Sequence, residues 1–207
     1  MFKRILVPLD GSPLAERVIP HAEQFVRIFG SEIILLQVLD PTSSHENPNP
    51  VDPLNWQIRK AEADMYMEEI AARMRANLGN KPGGGGDTEK YQTRVQYAIR
   101  EGKTAENIVN FAHTENIDLL IISTHGAGGL SRWNISSITE KVINLSYLPI
   151  LVVRAHQPEI KASSIFYRRI LLLLDGSRRA ECSLPAGVAL AQGEISMGFS
   201  PEVNNLS

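Results

Sequence analysis

The sequence has little of three features that would assign a protein to a special class: cysteine, net charge and long apolar runs. Its single cysteine, Cys182, cannot form an intrachain disulfide, which is compatible with a reducing compartment. A formal net charge of −2 gives no electrostatic signature for DNA or RNA. Apolar runs such as Ile170–Leu174 are far too short to cross a bilayer, and no signal peptide precedes the first predicted strand. These absences predict a soluble, cytoplasmic protein that binds no nucleic acid and does not insert into membranes.

The sequence does contain a regular alternation of short apolar runs and longer amphipathic segments. With 207 residues, 43% of them apolar, the chain can bury a substantial core. Helical connections between successive strands require parallel pairing with right-handed crossovers. The pattern predicts an α/β protein with an open, doubly wound sheet of five parallel strands, at Ile5–Asp10, Ile33–Leu39, within Tyr91–Ile99 around Val95, Leu119–Ile122 and Pro149–Val153.

Capping residues and helical periodicity predict the helices between these strands. Ser12 as N-cap and Pro13 at N1 begin the first helix, Gly30 ends it, and Pro20 is expected to bend its interior. Periodicity predicts buried faces for the second, third and fourth helices. These faces comprise Leu54, Ile58, Ala61, Met65 and Ala72; Ala105, Ile108 and Ala112; and Ile138, Val142 and Leu145.

The stretch Asp118–Ser137 reads as a buried strand, a glycine-rich loop and the start of a capped helix. Ser137 and Glu140 have the spacing of a capping box, with Ser137 as N-cap. Free N–H groups and a positive dipole end at a helix N-terminus suit phosphate, and glycines let a ligand approach the backbone. The alternative is a strand-to-helix turn that is rich in glycine for steric reasons alone. The loop glycines are Gly126, Gly128 and Gly129.

This stretch resembles the universal stress protein family, whose nucleotide-binding members carry Gly-x2-Gly-x9-Gly-Ser/Thr between the fourth strand and the fourth helix. The same frame here reads Ser123, Gly126, Ser136 and Ser137, so serine stands at two of the three glycine positions. The resemblance covers residues 2–154. It implies a Rossmann-like fold of the adenine nucleotide alpha hydrolase-like type, with strand order 3-2-1-4-5. Ligands of such sheets bind at the switch point, which here lies between the first and fourth strands.

The resemblance, taken position by position, implies a set of nucleotide-binding residues. Pro8, Asp10 and Val38 would form the adenosine end of the pocket. Asp10 there either contacts the ribose or only caps the local turn. The side chain of Ser123 would point either into the core or toward the ribose. Ser136 would weaken binding if the loop needs a backbone conformation that only glycine adopts easily. The residues are Pro8, Asp10, Val38, Ser123, Gly126, Gly129, Ser136 and Ser137.

The implied function is a regulatory module of the stress response that holds ATP or AMP, with or without Mg²⁺, and does not turn it over fast. The alternative is a nucleotide-free dimerisation or signalling module of the same fold, and a weak ATPase is a third reading. No catalytic residue or metal ligand is predicted. His125 is a lone loop histidine without a nearby cysteine nucleophile, and the other histidines lack metal-ligand spacing.

The second part of the chain repeats the first. Tyr167–Glu181 aligns with Phe2–Glu16 at a constant offset of 165 residues, including the Asp-Gly-Ser turn. This predicts a tandem protein with a universal stress protein domain at 1–154, a linker at 155–166 and the truncated start of a second domain at 167–207. Tandem members pair two domains within one chain, so we expect a homodimer here instead, formed through the edge strand Pro149–Val153.

Overall fold

The fold is built on one sheet of five parallel strands. The computed structural model describes residues 2–41, 52–79, 94–126, 135–155, 165, 167 and 169–196. The strands lie in the order β3-β2-β1-β4-β5, which confirms the expected doubly wound sheet. Their bounds are β1 Arg4–Leu9, β2 Glu32–Leu39, β3 Val95–Glu101, β4 Leu119–Ser123 and β5 Ile150–Val153.

Helices cover both faces of the sheet. One face packs against α1 and α2, and the other packs against α3 and α4. No helix in the described ranges combines the length and the hydrophobicity of a membrane span. A short 3₁₀ helix at Ala15–Val18 is followed by α1 Ile19–Phe29, α2 Pro53–Gly79, α3 Thr104–Thr114, α4 Ser137–Leu145, α5 Arg178–Glu181 and α6 Leu184–Ser196.

Strand β1 lies at the centre of the sheet and contributes to both layers of the core. It pairs with β2 along its whole length and with β4 at Ile5 and Leu6. Because side chains alternate along a strand, Val7 packs toward α1 and α2 while Leu6 packs toward α3 and α4. Pro8 therefore shares the α3 and α4 side with Leu6. Strand β1 is therefore held between two neighbouring strands, β2 and β4.

The first helical segment differs from its prediction at Pro20. The α-helix begins only at Ile19, so Pro20 lies in its first turn and not in its interior. A proline has no N–H to donate, and the first helical turn is where this is tolerated. Ser12 still caps the preceding turn, since its hydroxyl accepts from the Ala15 N–H at 3.2 Å. Gly30 ends α1 with φ 64°, as predicted.

Two other helical faces and one strand were placed wrongly. All five residues that were expected on the inner face of α2 are exposed, and its buried residues are Ala63, Met67, Ile70, Ala71, Met74 and Leu78. Apolar residues are scattered around α2, so packing against α1 and the sheet decides which face is buried. In α4 only Val142 of the predicted face is buried, because Ile138 and Leu145 are 42% and 46% exposed. Val95 begins β3 and is not its centre.

The second part of the chain docks on α1. Tyr167 packs against Phe25 with a ring-centroid distance of 6.3 Å, and its hydroxyl lies 2.9 Å from Nδ1 of His21. Ala186 and Leu190 of α6 also pack against the α1 and α2 side of the core. Burial lowers the pKa of His21. Tyr167 and helix α6 therefore cover a surface of the domain formed by the five-stranded sheet and its helices, the first unit.

We predict that residues 1–155 fold without the rest of the chain, but less stably. Deleting residues 156–207 leaves the sheet intact and uncovers His21 and Phe25, at a cost of about 2 to 4 kcal/mol in the free energy of unfolding. Chemical denaturation followed by circular dichroism measures this. Tyr167→Phe separates the hydrogen bond from the packing. A fragment without a cooperative transition would contradict the prediction.

Candidate functional site

The turn after β1 holds the carboxylate of Asp10 in a defined position. The backbone N–H of Ser12 donates to Oδ1 of Asp10 at 3.0 Å. Between them Gly11 has φ 82°, which an L side chain rarely adopts. The sequence offered ribose contact and turn capping as alternatives, and the cap is present. The Asp10 residue is exposed.

Asp10 lies directly against Gly126, in the segment after β4. A Cβ added to Gly126 would lie 2.9 Å from the carboxyl carbon of Asp10 and closer still to Oδ2. With the Asp10 carboxylate in this position, only glycine fits at 126 without displacing it. The contact joins the carboxyl ends of the two strands that flank the switch point of the sheet.

The side chain of Ser123 faces the core and not the crevice. Ser123 is 5% exposed, and its hydroxyl donates to the carbonyl oxygen of Leu14 at 3.0 Å. This bond ties the end of β4 to the turn that follows β1. Serine at the first glycine position of the family frame thus fixes the distance between the two strand ends.

Ser136, and not Ser137, is the N-cap of α4. The Ser136 hydroxyl accepts from the backbone N–H of Thr139 at 3.1 Å, and helix α4 begins at Ser137. The predicted capping box of Ser137 and Glu140 is therefore wrong. Thr139 favours Ser136 as the cap because its hydroxyl makes two further contacts. Its hydroxyl lies 2.8 Å from that of Ser136 and donates to the carbonyl of Ser123 at 2.9 Å. A hydroxyl has one proton, so Ser136 must donate to Thr139.

The first turn of α4 still presents donors at the crevice. The backbone N–H of Ser136 donates to the carbonyl of Thr124 at 2.8 Å, which sets the start of α4 beside the segment that leads to Gly126. Ser137 and Ile138 are the first two residues of the helix, and their N–H groups have no carbonyl within it to bond. Ser136 has φ −62°, so serine causes no backbone strain there.

The remaining predicted residues, Pro8, Val38 and Gly129, make none of the contacts that join Asp10, Gly126 and the start of α4. Pro8 pairs with Leu36 in the sheet, and Val38 lies two residues further along β2. Val38 packs with the core on the α3 and α4 side, which is also the side of Pro8. Gly129 lies outside the described residues, as does the rest of 127–134.

His125 is buried beside the site. It is 6% exposed, and its Nδ1 lies 2.9 Å from the hydroxyl of Thr124. That hydroxyl also accepts from the N–H of Ala155 at 3.1 Å. Among the described residues, no group of three His, Cys, Asp or Glu side chains could hold a metal ion. The network of Thr124 and Thr139 was missed, although the Ser136-x-x-Thr139 spacing could have indicated it.

A groove of about 570 Å³ lies at the amino ends of the strands, opposite the ends that form the crevice. Several of its polar groups are already bonded within the protein. Asp118 accepts from the N–H groups of Lys3 and Arg4 at 2.7 and 3.0 Å, and Arg4 pairs with Glu115. The groove is far from the carboxyl ends of the strands. It is lined by Lys3, Arg4, Phe29, Gly30, Glu32, Arg94, Asn116 and Asp118.

Comparison with known proteins assigns the first unit. The sequence model described as the Universal stress protein family matches residues 1–154. A universal stress protein of Methanocaldococcus jannaschii is 30% identical over 161 residues, which cover 74% of this chain and 96% of that protein. A universal stress protein of Synechocystis is 30% identical over 153 residues, which cover 74% of this chain and 86% of the relative.

Solved structures agree with the sequence comparison. The structure of the M. jannaschii protein matches at 28% identity with a TM-score of 0.57, covering 74% of this chain and 96% of that chain. UspA from Lactobacillus plantarum matches with a TM-score of 0.59 and covers 74% of this chain and 98% of that one. Its 21% identity shows the fold alone. The chain belongs to the universal stress protein family.

Proposed function

We propose that this protein binds an adenine nucleotide, ATP or AMP, and acts as a regulatory module of the stress response without fast turnover. The observation that carries the proposal is the approach of Asp10 to Gly126 beside the first turn of α4. This approach places the Asp10 carboxylate, the backbone of Gly126 and the N–H groups of the first turn of α4 together at the switch point. Ribose hydroxyls need an acceptor, and phosphate needs donors.

Most of the predicted residues contact the nucleotide in this proposal. Asp10 accepts from the ribose hydroxyls through its exposed carboxylate. Pro8 and Val38 face the adenine, and Gly126 and Gly129 let the phosphates approach the backbone. Ser137 and Ile138 offer backbone N–H groups to the phosphates, together with the Ser137 hydroxyl, and Ser136 caps the helix that presents them. Mg²⁺ would enter with ATP and neutralise part of the phosphate charge.

The two serines at glycine positions are compatible with binding. A positive φ at Ser136 would have cost on the order of 1 to 3 kcal/mol, and the observed φ of −62° removes that cost. The hydroxyls of Ser123 and Ser136 are bonded within the protein and add no donor to the phosphate site. We therefore propose an affinity in the micromolar range or weaker. These hydroxyl contacts join the turn after β1, the end of β4 and the start of α4 without a bound ligand. A nucleotide-free dimerisation or signalling module of the same fold is therefore the second candidate.

One neighbour of the same fold is a universal stress protein solved in complex with cAMP, at 17% identity and a TM-score of 0.52. That complex concerns that protein, and the case for this chain rests on its own residues. Phosphoryl transfer would require metal-binding carboxylates and a positioned base. Among the described residues of the crevice, Asp10 is the one carboxylate that we place at the nucleotide, and we assign no base beside it. We therefore propose binding without catalysis.

Binding to Asp10 can be separated from its role in the turn. Asp10→Ala should weaken Mg-ATP binding about 10- to 100-fold, because hydrogen bonds to a charged group contribute about 1.5 to 3 kcal/mol. Asp10→Asn keeps an acceptor for the Ser12 N–H and should lose less. Gly126→Val should lose as much as Asp10→Ala, since its side chain would displace the carboxylate. Calorimetric titration of protein stripped of nucleotide measures all four proteins.

A matched control for these variants lies in the repeat. Asp175 accepts from the Ser177 N–H at 2.8 Å, as Asp10 does from Ser12, and Gly176 has φ 79°. Asp175→Ala breaks an equivalent turn, and we expect it to leave nucleotide binding unchanged. Absence of binding at millimolar Mg-ATP, or binding that is insensitive to Asp10→Ala, would refute the proposal.

The repeated turn also supports our proposal for the domains. Residues 1–154 are the universal stress protein domain, 155–166 a linker and 167–207 the start of a second such domain in a tandem arrangement. After Asp175, Ser177 accepts from the Ala180 N–H at 3.1 Å, as Ser12 does from Ala15 at 3.2 Å. The same residues make the same local bonds twice.

We further propose a homodimer through β5, which pairs with β4 and lies at the edge of the sheet. Its Val152 is 37% exposed. The fragment 1–155 isolates this edge, and we expect it to be dimeric at tens of micromolar by multi-angle light scattering. Val152→Lys should give a monomer because two lysines would meet at the edge, whereas Val152→Thr should not. A monomeric wild-type fragment would count against the edge.

A further inference from the structure

The repeat of β1 forms neither a helix nor a strand and is not part of the sheet. Residues 169–175 repeat residues 4–10 of the first unit. Among the described residues, no backbone hydrogen bond joins 169–175 to another strand. The apolar side chains of this segment are largely uncovered: Ile170 is 37% exposed, Leu171 82%, Leu173 81% and Leu174 50%.

One side chain of the segment is already held by a helix. Leu172 packs on α6, where a Cβ added to Gly187 would lie 2.8 Å from its Cδ2 atom. The equivalent residues of the first unit, Val7 and Ala22, belong to one buried cluster. Since α6 docks on α1, the segment is attached to the folded unit. It is a strand-length segment that is supported from one side, and none of the described residues pairs with its backbone.

The charges of the segment indicate what pairs with it. Arg169 stands at its beginning and Asp175 at its end, both exposed. In an antiparallel pair of two such segments centred on Leu172, Arg169 lies opposite Asp175 of the other copy, twice over. Leu171 then lies opposite Leu173, on the same face as the charges because residues of one parity share a face. Parallel pairing would set like charges opposite each other, which is unfavourable.

We propose that residues 169–175 pair with the same residues of a second copy of this chain, as antiparallel strands related by a two-fold axis. Such a contact is self-complementary, as two-fold interfaces are. It brings Leu171 and Leu173, the two most exposed leucines of the segment, into contact across the strands, and it pairs backbone groups that have no sheet partner among the described residues. The surface is distinct from β5, so it adds a second mode of self-association to the protein.

A symmetric cysteine tests the register in the full-length chain. In a Cys182→Ser background, Leu172→Cys should form a disulfide-linked dimer under mild oxidation, because the two side chains lie opposite each other at the axis. Cys182 is exposed, and serine can keep its contact with the Arg178 carbonyl. Leu171→Cys is the matched control. Its two copies lie on a diagonal roughly 7 to 8 Å apart, so we expect several-fold less cross-linking.

Charge reversal provides a second test that needs no cysteine. Arg169→Asp alone and Asp175→Arg alone should each self-associate several-fold more weakly than the wild type. An equimolar mixture of the two should recover association, since each mixed pair has two complementary contacts. Sedimentation velocity measures this, and circular dichroism checks that each variant is folded. Equal cross-linking at 171 and 172, no cross-linking at 172, or no recovery in the mixture would overturn the proposal.

Discussion

The approach of Asp10 to Gly126 is the constraint on which the site depends. It requires β1 to lie beside β4, a glycine at 126 and a turn that holds the carboxylate. The sheet order supplies the first condition, because the crossover after β2 and β3 returns the chain to the other edge of β1. The hydroxyl of Ser123 then fixes the spacing by bonding Leu14. A side chain at 126 would displace the Asp10 carboxylate from this position.

Much of the fold was predictable because its determinants are local. Buried parallel strands are continuous apolar runs, and the stretch Leu119–Ile122 was identified for that reason. Gly30 ended α1 as predicted because a left-handed residue at a helix end favours glycine. The sheet order was not derivable from such patterns and came from the family resemblance.

What could not be predicted depends on tertiary contacts. The N-cap of α4 moved from Ser137 to Ser136 because Thr139 bonds the end of β4, a contact across 16 residues. The buried face of α2 was misplaced because Met65 and Met67 are alike in sequence, and only packing distinguishes them. The side chain of Ser123 could have pointed either way, and the position of the Leu14 carbonyl decided it.

The two copies of the Asp-Gly-Ser segment show which part of the structure depends on local sequence and which part depends on neighbouring strands. The turn forms in both, with Gly11 and Gly176 at φ 82° and 79°. The strand before it forms only in the first copy, because a strand needs partners and β1 has two. Sequence alone therefore specifies the turn, whereas the strand depends on what lies beside it.

The central claim is that the nucleotide lies between Asp10 and the first turn of α4. Backbone amide chemical shifts in a ¹⁵N-labelled protein titrated with Mg-ATP test it most directly. We predict saturable shifts at Gly11, Gly126, Ser137 and Ile138, and none at the repeated turn of Gly176. Shifts confined to the groove around Lys3 and Arg94, or no shifts at millimolar nucleotide, would contradict this account.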